Sequence, residues 1–126
     1  MIRIPDKGRF ELRLMDGAVN PYLLQAGVIA AGLHGINNKI DPGEPLSCNM
    51  YTDHKNYPNL KKLPNIIEDA LDQLENSKEI EEAFGSDTIK SYLKLKRSEI
   101  KDFNQEEKFD KKSSVTHWEK NSTLDC

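Results

Sequence analysis

The chain has 126 residues, enough for one modest domain, and 37% of them are hydrophobic against 31% charged. A net charge of −3 argues against a general nucleic-acid binder, which needs a strongly basic surface. The two cysteines, Cys48 and Cys126, form neither a metal-ligand spacing nor a disulfide framework, so we expect a cytoplasmic protein. The opening residues lack the apolar run of a signal peptide, and no apolar stretch is long enough to span a membrane.

Residues 1–16 predict a β-hairpin at the start of the chain. Two extended segments, 2–4 and 9–14, are separated by Asp6 and Lys7 followed by Gly8, which is a turn signal. Apolar and charged residues alternate along the second segment, as they do in a strand with one face on a core.

Arg9, Glu11 and Arg13 lie on one face of this second strand, because side chains two residues apart point the same way. A carboxylate can hold a divalent cation, and guanidinium groups bind phosphate or carboxylate with paired donors. The same alternation is also typical of an exposed strand whose charges pair with their neighbours. Arg3 could reach this face from the first strand, but the sequence does not fix the register of the hairpin.

An apolar helix is predicted within residues 20–36. Asn20 before Pro21 is a typical helix start, and the helix is expected to run from Pro21 to about Leu33, with Gly35 able to end it. Gln25 is the only plainly polar side chain in this stretch. A helix that is apolar on all sides is normally buried on all sides, so we expect a buried helix here.

Residues 37–62 predict an irregular loop, and residues 63–126 predict a helical tail. Proline, glycine and asparagine interrupt any regular period in the loop. In the tail, apolar periodicity and capping residues predict helices at Leu63–Asn76, Lys78–Phe84 and Asp87–Gln105, with a last turn that docks Val115 and Trp118. The expected fold class is therefore α+β, mostly helical with an N-terminal hairpin.

Outside the hairpin, the sequence offers no recognisable catalytic motif. It contains no glycine-rich phosphate loop and no serine or cysteine nucleophile in a familiar surround. His34, His54 and His117 have no partners at metal-ligand spacing, so we interpret them as structural or exposed. Glu11 alone supplies too few ligands for Mg²⁺ or Mn²⁺.

Several short blocks, in order, resemble the carboxy-terminal part of the glutamine synthetase catalytic domain. They are Arg9-x-Glu11-x-Arg13, Asn20-Pro21-Tyr22-Leu23, and the run from Ala31 to Ile36. Later blocks, among them Ser91-Tyr92-x-Lys94-x-Lys96 and Trp118-Glu119, resemble the type III branch, which also contains ligases that join glutamate to small amines. The resemblance covers nearly the whole chain and implies part of a domain built from an antiparallel sheet flanked by helices.

The resemblance implies an ATP-dependent ligase that phosphorylates glutamate and lets ammonia displace the phosphate. By position, Glu11 matches a carboxylate that holds Mg²⁺ or Mn²⁺ on the ATP phosphates, and Arg13 matches the arginine that binds glutamate. Arg9 and Arg3 match catalytic arginines near the phosphates, with Arg3 the least secure match because the turn before Arg9 is short.

Family members are much longer than this chain, so the resemblance also implies a carboxy-terminal fragment. Its site would be completed by the missing amino-terminal portion or by neighbouring subunits of a homo-oligomer, and we expect no activity from the chain alone. Two alternatives remain open: a glutamate–small-amine ligase, or a non-catalytic relic that serves as an interaction module. We also expect the apolar helix to be partly exposed in the isolated chain, which favours association.

Overall fold

The computed structural model is mostly helical, with one two-stranded antiparallel sheet at the N-terminus, and it confirms the expected fold class. It describes residues 2–15, 17–106 and 115–123. The chain forms two compact units: Met1–Gly27 together with Ile100–Cys126, and Val28–Glu99. Within the predicted helical tail, residues 107–114 and the last three residues, including Cys126, lie outside the described residues.

The elements follow one another in a simple order, strands first and helices after. The hairpin consists of β1 (Ile2–Asp6) and β2 (Arg9–Leu12). The helices are α1 (Pro21–Asn37), α2 (Met50–Asp53), a 3₁₀ helix (His54–Asn56), α3 (Ile67–Glu75), α4 (Lys78–Phe84), α5 (Ser86–Glu106) and α6 (His117–Thr123).

A bulge in β1 sets the register of the hairpin. Asp6 pairs with Arg9 next to the turn, where Gly8 adopts a φ of 78°. Farther along, Arg3 pairs with Glu11, so the ladder shifts by one residue between Asp6 and Arg3. Pro5 lies in this irregular stretch, where its missing N–H removes no regular ladder bond.

Helix α1 begins at the predicted residue but ends later than predicted. The side-chain oxygen of Asn20 accepts hydrogen bonds from the backbone N–H groups of Tyr22 and Leu23, at 3.0 and 3.1 Å. The helix continues to Asn37, and Lys39 rather than Gly35 takes the positive φ, at 51°. The expectation that Gly35 ends the helix was therefore wrong.

The C-terminus of α1 is closed by two backbone hydrogen bonds. The N–H of Lys39 donates to the carbonyl of Ile36 at 3.1 Å, and the N–H of Ile40 donates to the carbonyl of Gly35 at 2.9 Å. This paired arrangement is the Schellman motif, which satisfies carbonyls that the helix leaves free. It requires a left-handed residue, and here a lysine takes that role.

The segment between α1 and α4 differs from expectation in two places. Residues 37–62 are not wholly irregular, because they contain α2 and the 3₁₀ helix. Helix α3 begins at Ile67 and not at Leu63, and its N-cap residue, Ile66, is extended with φ −127° and ψ 154°. Pro64 disfavours helical geometry at Leu63, the residue before it, which argues against a helix that begins at Leu63.

The unit Val28–Glu99 holds the buried residues of the described chain. Only Leu71, Ile89 and Leu93 are buried among the described residues, and all three are apolar side chains of α3 and α5. Arg97 on α5 donates to both carboxylate oxygens of Glu75, at 3.1 and 2.6 Å, and to Asp72 at 3.1 Å. These bonds tie α5 to α3 beside the small apolar core.

The shorter helices are delimited by local caps. The hydroxyl of Ser77 accepts from the N–H of Ile80 at the start of α4, and Gly85 follows its end with a φ of 83°. Before α6, Thr116 and Glu119 form a reciprocal capping box: the N–H of Glu119 donates to Thr116 Oγ1 at 3.1 Å, and the N–H of Thr116 donates to Glu119 Oε2 at 2.7 Å. The rings of Phe103 and Trp118 contact each other edge to face, with 5.5 Å between their centroids.

Helix α1 is not buried by the described part of this chain. None of its residues is buried, and Tyr22, Ile29 and Ile36 are 82%, 62% and 74% exposed. The described residues therefore do not provide the burial that the sequence predicts for this helix. No helix among the described residues combines the length and apolar character needed to cross a membrane.

Candidate functional site

The hairpin brings Arg3, Arg9 and Glu11 together on one face. Arg3 lies directly across from Glu11 in the neighbouring strand, and Arg9 lies two residues before Glu11 in the same strand. Opposed residues in an antiparallel pair have Cβ atoms about 5 Å apart, and residues two apart on a strand share a face. The pairing of the two strands therefore places two guanidinium groups beside one carboxylate.

Each carboxylate oxygen of Glu11 accepts a hydrogen bond from a different arginine. Arg9 Nη2 lies 2.6 Å from Oε1, and Arg3 Nη1 lies 3.2 Å from Oε2. The side chain of Glu11 is 29% exposed, whereas those of Arg3 and Arg9 are 59% and 67% exposed. The carboxylate is thus held between two cations that remain open to solvent and to anions.

These contacts lower the pKa of Glu11. The hydrogen bond from Arg9 has the largest effect, followed by the one from Arg3, and both favour the ionised carboxylate. Partial burial acts in the opposite direction but is the weaker influence. Glu11 therefore keeps its negative charge to a lower pH than an unpaired glutamate does.

Arg13 does not join this ion-pair cluster. Strand β2 ends at Leu12, so Arg13 lies just beyond the paired ladder. Among the described residues, no carboxylate lies within ion-pair distance of Arg13, and its positive charge lowers the pKa of Glu11 only by a longer-range Coulomb effect.

The sequence did not determine which residue of β2 lies opposite Arg3, and the bulge in β1 determines that it is Glu11. A regular ladder continued from the pair Asp6 and Arg9 would place Ile4 opposite Glu11. The extra residue restores the pairing of Arg3 with Glu11 and keeps the charged side chains on one face. Pro5 was the signal in the sequence, since a proline inside a strand marks an edge or a bulge.

The remaining polar candidates do not form a second site in the part of the chain that is described. His34 and His117 each lie beside the amide of an asparagine one turn later, at 3.3 and 3.0 Å, and His54 is exposed in the 3₁₀ helix. The thiol of Cys48 donates to the sulfur of Met50 at 3.5 Å. Residues 2–15, 17–106 and 115–123 contain no group of three or more potential metal ligands.

The family model described as "Glutamine synthetase, catalytic domain" matches residues 1–119. This chain belongs to the glutamine synthetase catalytic-domain family. The match begins at the hairpin and continues into α6, so the charged face lies inside the region that the family shares.

Similar proteins in the glutamine synthetase family include two types of ligase. The chain is 46% identical over 125 residues to the glutamine synthetase of Rhizobium meliloti, a match that covers 99% of this chain and 27% of the relative. It is 38% identical over 128 residues to a glutamate–methylamine ligase of Methyloversatilis universalis, again with 99% and 27% covered. The chain therefore spans about a quarter of the length of these relatives.

A solved structure shows the same relation to the glutamine synthetase family. A chain of a GmaS/ADP complex superimposes with a TM-score of 0.78 and 40% sequence identity, covering all of this chain and 27% of the solved one. Because the superposition covers the whole chain, the shared fold includes the hairpin and the helices that follow it.

Proposed function

We propose that this chain supplies part of the active site of an ATP-dependent ligase that joins glutamate to ammonia through γ-glutamyl phosphate. The observation that supports this is the pair of solvent-accessible guanidinium groups around Glu11, in a chain of the glutamine synthetase family. Phosphoryl transfer needs fixed positive charge around the moving group, and arginine suits both phosphate and carboxylate oxygens.

The proposed roles are those of the glutamine synthetase arginines that Arg3, Arg9 and Arg13 resemble by position. Arg9 and Arg3 bind the phosphates of ATP and the transferred phosphoryl group, where their charge offsets the negative charge that develops. Arg13, which lies outside the ion-pair cluster, binds a carboxylate of glutamate. The chain's own contribution is thus to bind and orient anions.

The described residues do not form a complete site for a divalent cation. Mg²⁺ takes about six oxygen ligands, and the described residues hold no group of three or more potential ligands. We propose that Glu11 provides one ligand to Mg²⁺ or Mn²⁺ and that the remaining ligands come from polypeptide outside the described residues. When bound, such a cation would neutralise phosphate charge.

The partner implied by this proposal is the remainder of the catalytic domain, in the same enzyme or in a neighbouring subunit. The relatives are nearly four times as long as the matched segment, and α1 presents an apolar surface that the described residues do not cover. The chain alone is therefore predicted to be inactive. Formation of glutamine by the purified 126-residue chain would contradict this prediction.

The sharpest test replaces the matching segment of the Rhizobium meliloti glutamine synthetase with this chain. We expect the chimera to release ADP only when glutamate and ammonium are both present. Arg9→Gln in the chimera should lower kcat by roughly 10²–10³-fold, the usual loss when a group that stabilises transition-state charge is removed. Arg97→Gln is the matched control, because Arg97 also pairs with carboxylates but lies far along the chain on α5.

An inactive chimera that is folded and assembled would contradict the proposal and favour the non-catalytic relic. Titrating Mn²⁺ and ATP into the chimera then tests whether it still binds nucleotide, as an enzyme part should, or has lost that ability, as a relic would. Failure to bind either ligand, while the parent enzyme binds both, would identify this segment as the defective part.

A glutamate–small-amine ligase is the second candidate function, and two similar proteins support it. A glutamate–methylamine ligase and the GmaS/ADP complex match this chain at 38% and 40% identity. The two functions share the hairpin chemistry and differ in the amine that attacks the phosphorylated glutamate. Measuring kcat/KM for ammonium against methylamine in the chimera tests whether this segment shifts the preference; an unchanged ratio would place the choice elsewhere in the enzyme.

A further inference from the structure

The carboxylate of Glu11 accepts hydrogen bonds from the guanidinium N–H groups of Arg3 and Arg9, which a phosphate would also need as donors. Its two oxygens accept from Arg9 Nη2 at 2.6 Å and from Arg3 Nη1 at 3.2 Å, the kind of contacts that these guanidinium groups would make with two phosphate oxygens. The carboxylate is also negatively charged, so it repels an anion that approaches without displacing it. The hairpin therefore carries an internal anion at its own anion site.

The contact is weak enough to be exchanged. The side chains of Arg3 and Arg9 are 59% and 67% exposed, and ion pairs with that much solvent contact contribute little to stability. A polyphosphate carries several charges and can engage both guanidinium groups at once, whereas Glu11 carries one. Arg13 and Lys7 add positive charge to the same hairpin without an ion-pair partner among the described residues.

We propose that Glu11 is an internal competitor of the phosphate ligand: its carboxylate and a polyphosphate bind the same guanidinium groups of Arg3 and Arg9. This inference rests on the proposed phosphate-binding role of the two arginines. The hairpin then has two states: in one, Glu11 is paired to the arginines, and in the other, the polyphosphate takes its place and the released carboxylate of Glu11 can ligate the proposed cation. Neutralising Glu11 favours the second state.

The test uses the full chain and inorganic tripolyphosphate as the probe, at constant ionic strength and without divalent cations. Glu11→Gln keeps the size of the side chain and removes its charge. We expect this variant to bind tripolyphosphate about tenfold more tightly than the unmodified chain, since a weak ion pair and a nearby repulsion are both lost. Arg9→Gln should weaken binding in either background.

Glu75→Gln is the matched control for this experiment. Glu75 also accepts two hydrogen bonds from one arginine, Arg97, so its substitution changes net charge equally and weakens the pairing of a guanidinium that Asp72 still contacts. It should leave tripolyphosphate affinity unchanged. An equal gain from Glu75→Gln would show a general charge effect and would overturn the proposed competition.

A second measurement needs no substitution at Glu11. In the unmodified chain, adding tripolyphosphate should move the carboxyl ¹³C resonance of Glu11, because the carboxylate loses its two hydrogen bonds. If tripolyphosphate binds through Arg9 but neither moves this resonance nor gains affinity from Glu11→Gln, the competition is wrong while the phosphate-binding role stands. If neither form binds the probe, the phosphate role and the competition both fail.

Discussion

At the scale of single residues, the two contacts of Glu11 are not equivalent. The bond from Arg9 is 0.6 Å shorter than the bond from Arg3, as the distances of 2.6 and 3.2 Å show. The hydrogen bond from Arg9 is also the largest cause of the lowered pKa of Glu11. The neighbour in the same strand therefore matters more to this carboxylate than the neighbour across the hairpin.

This difference predicts an order of effects on the titration of Glu11. Its pKa is lowered below the ordinary value of 4.5, so the ion pairs are fully formed above that value and are lost as the pH falls through the folded-state pKa. Replacing Arg9 with glutamine should raise the pKa of Glu11 most, Arg3→Gln should raise it less, and Arg13→Gln least. Carboxyl ¹³C resonances followed from neutral to acid pH measure each pKa directly.

The control for this series is Arg97→Gln, which removes an arginine on α5 that pairs with Glu75 and Asp72. It should raise the pKa of Glu75, whose charge it stabilises, and leave the pKa of Glu11 as it was. Equal responses of Glu11 to Arg9→Gln and Arg13→Gln would contradict the observed geometry.

At the scale of elements, the end of α1 stores a local strain. Lys39 has a φ of 51°, a conformation in which an ordinary side chain crowds the following carbonyl and costs about 1 kcal/mol. The two bonds of the Schellman motif, from Lys39 and Ile40, hold it there. Glycine adopts this conformation without the crowding.

Lys39→Gly is therefore predicted to stabilise the last turn of α1 by roughly 0.5–1 kcal/mol, after allowing for the greater freedom of glycine in the unfolded chain. Hydrogen exchange at the amides of Asn38 and Ile40, which donate to His34 and Gly35, measures this turn. Both amides should exchange several-fold more slowly than in the unmodified chain.

The control is Lys61→Gly, at a lysine outside the helices and without a positive φ. It removes the same side chain but relieves no strain, so it should leave exchange at the end of α1 unchanged. Faster exchange in the Lys39→Gly variant would mean that the lysine side chain contributes more than its conformation costs.

The elements show which features of this fold the sequence predicts. Asn20, Ser77 and Gly85 act at helix ends through their own side chain or backbone, so their effect is local and the pattern alone indicates it. The end of α1 escaped prediction because the preference of Gly35 for positive φ competes with continued helix formation, and the sequence does not give the balance.

The candidate site was predictable to a similar extent. The shared face of Arg9 and Glu11 follows from strand periodicity, which is fixed by backbone geometry. The contact with Arg3 depends on a bulge whose position is settled by pairing between two strands, and Arg13 lies outside the cluster because β2 ends one residue earlier. Such pairing is a property of two segments together, which neither segment shows alone.

At the scale of the whole molecule, the described residues leave many large apolar side chains exposed and bury few. Three side chains are buried among the described residues, whereas α1 exposes a stripe formed by Ile29, Leu33 and Ile36. These residues are spaced at four and three, so they share one face of the helix. Exposed apolar patches of this kind promote association in water.

We therefore expect the isolated chain to associate as its concentration rises, which sedimentation velocity measures. The double substitution Ile29→Lys and Ile36→Lys should reduce association and leave helicity by circular dichroism nearly unchanged, because both side chains are more than 60% exposed. Leu95→Lys, at a position on α5 that is 57% exposed, is the control and should have little effect. A chain that stays monomeric at every concentration would contradict this prediction.

The edge-to-face contact of Phe103 with Trp118 also has a practical consequence for optical work. Trp118 is the single tryptophan of the chain, and its ring partner belongs to the same compact unit. Emission excited at the red edge of protein absorbance will thus come from that unit alone, whereas three of the four tyrosines belong to the other. Unfolding curves recorded by fluorescence and by helix content will coincide only if the two units melt together.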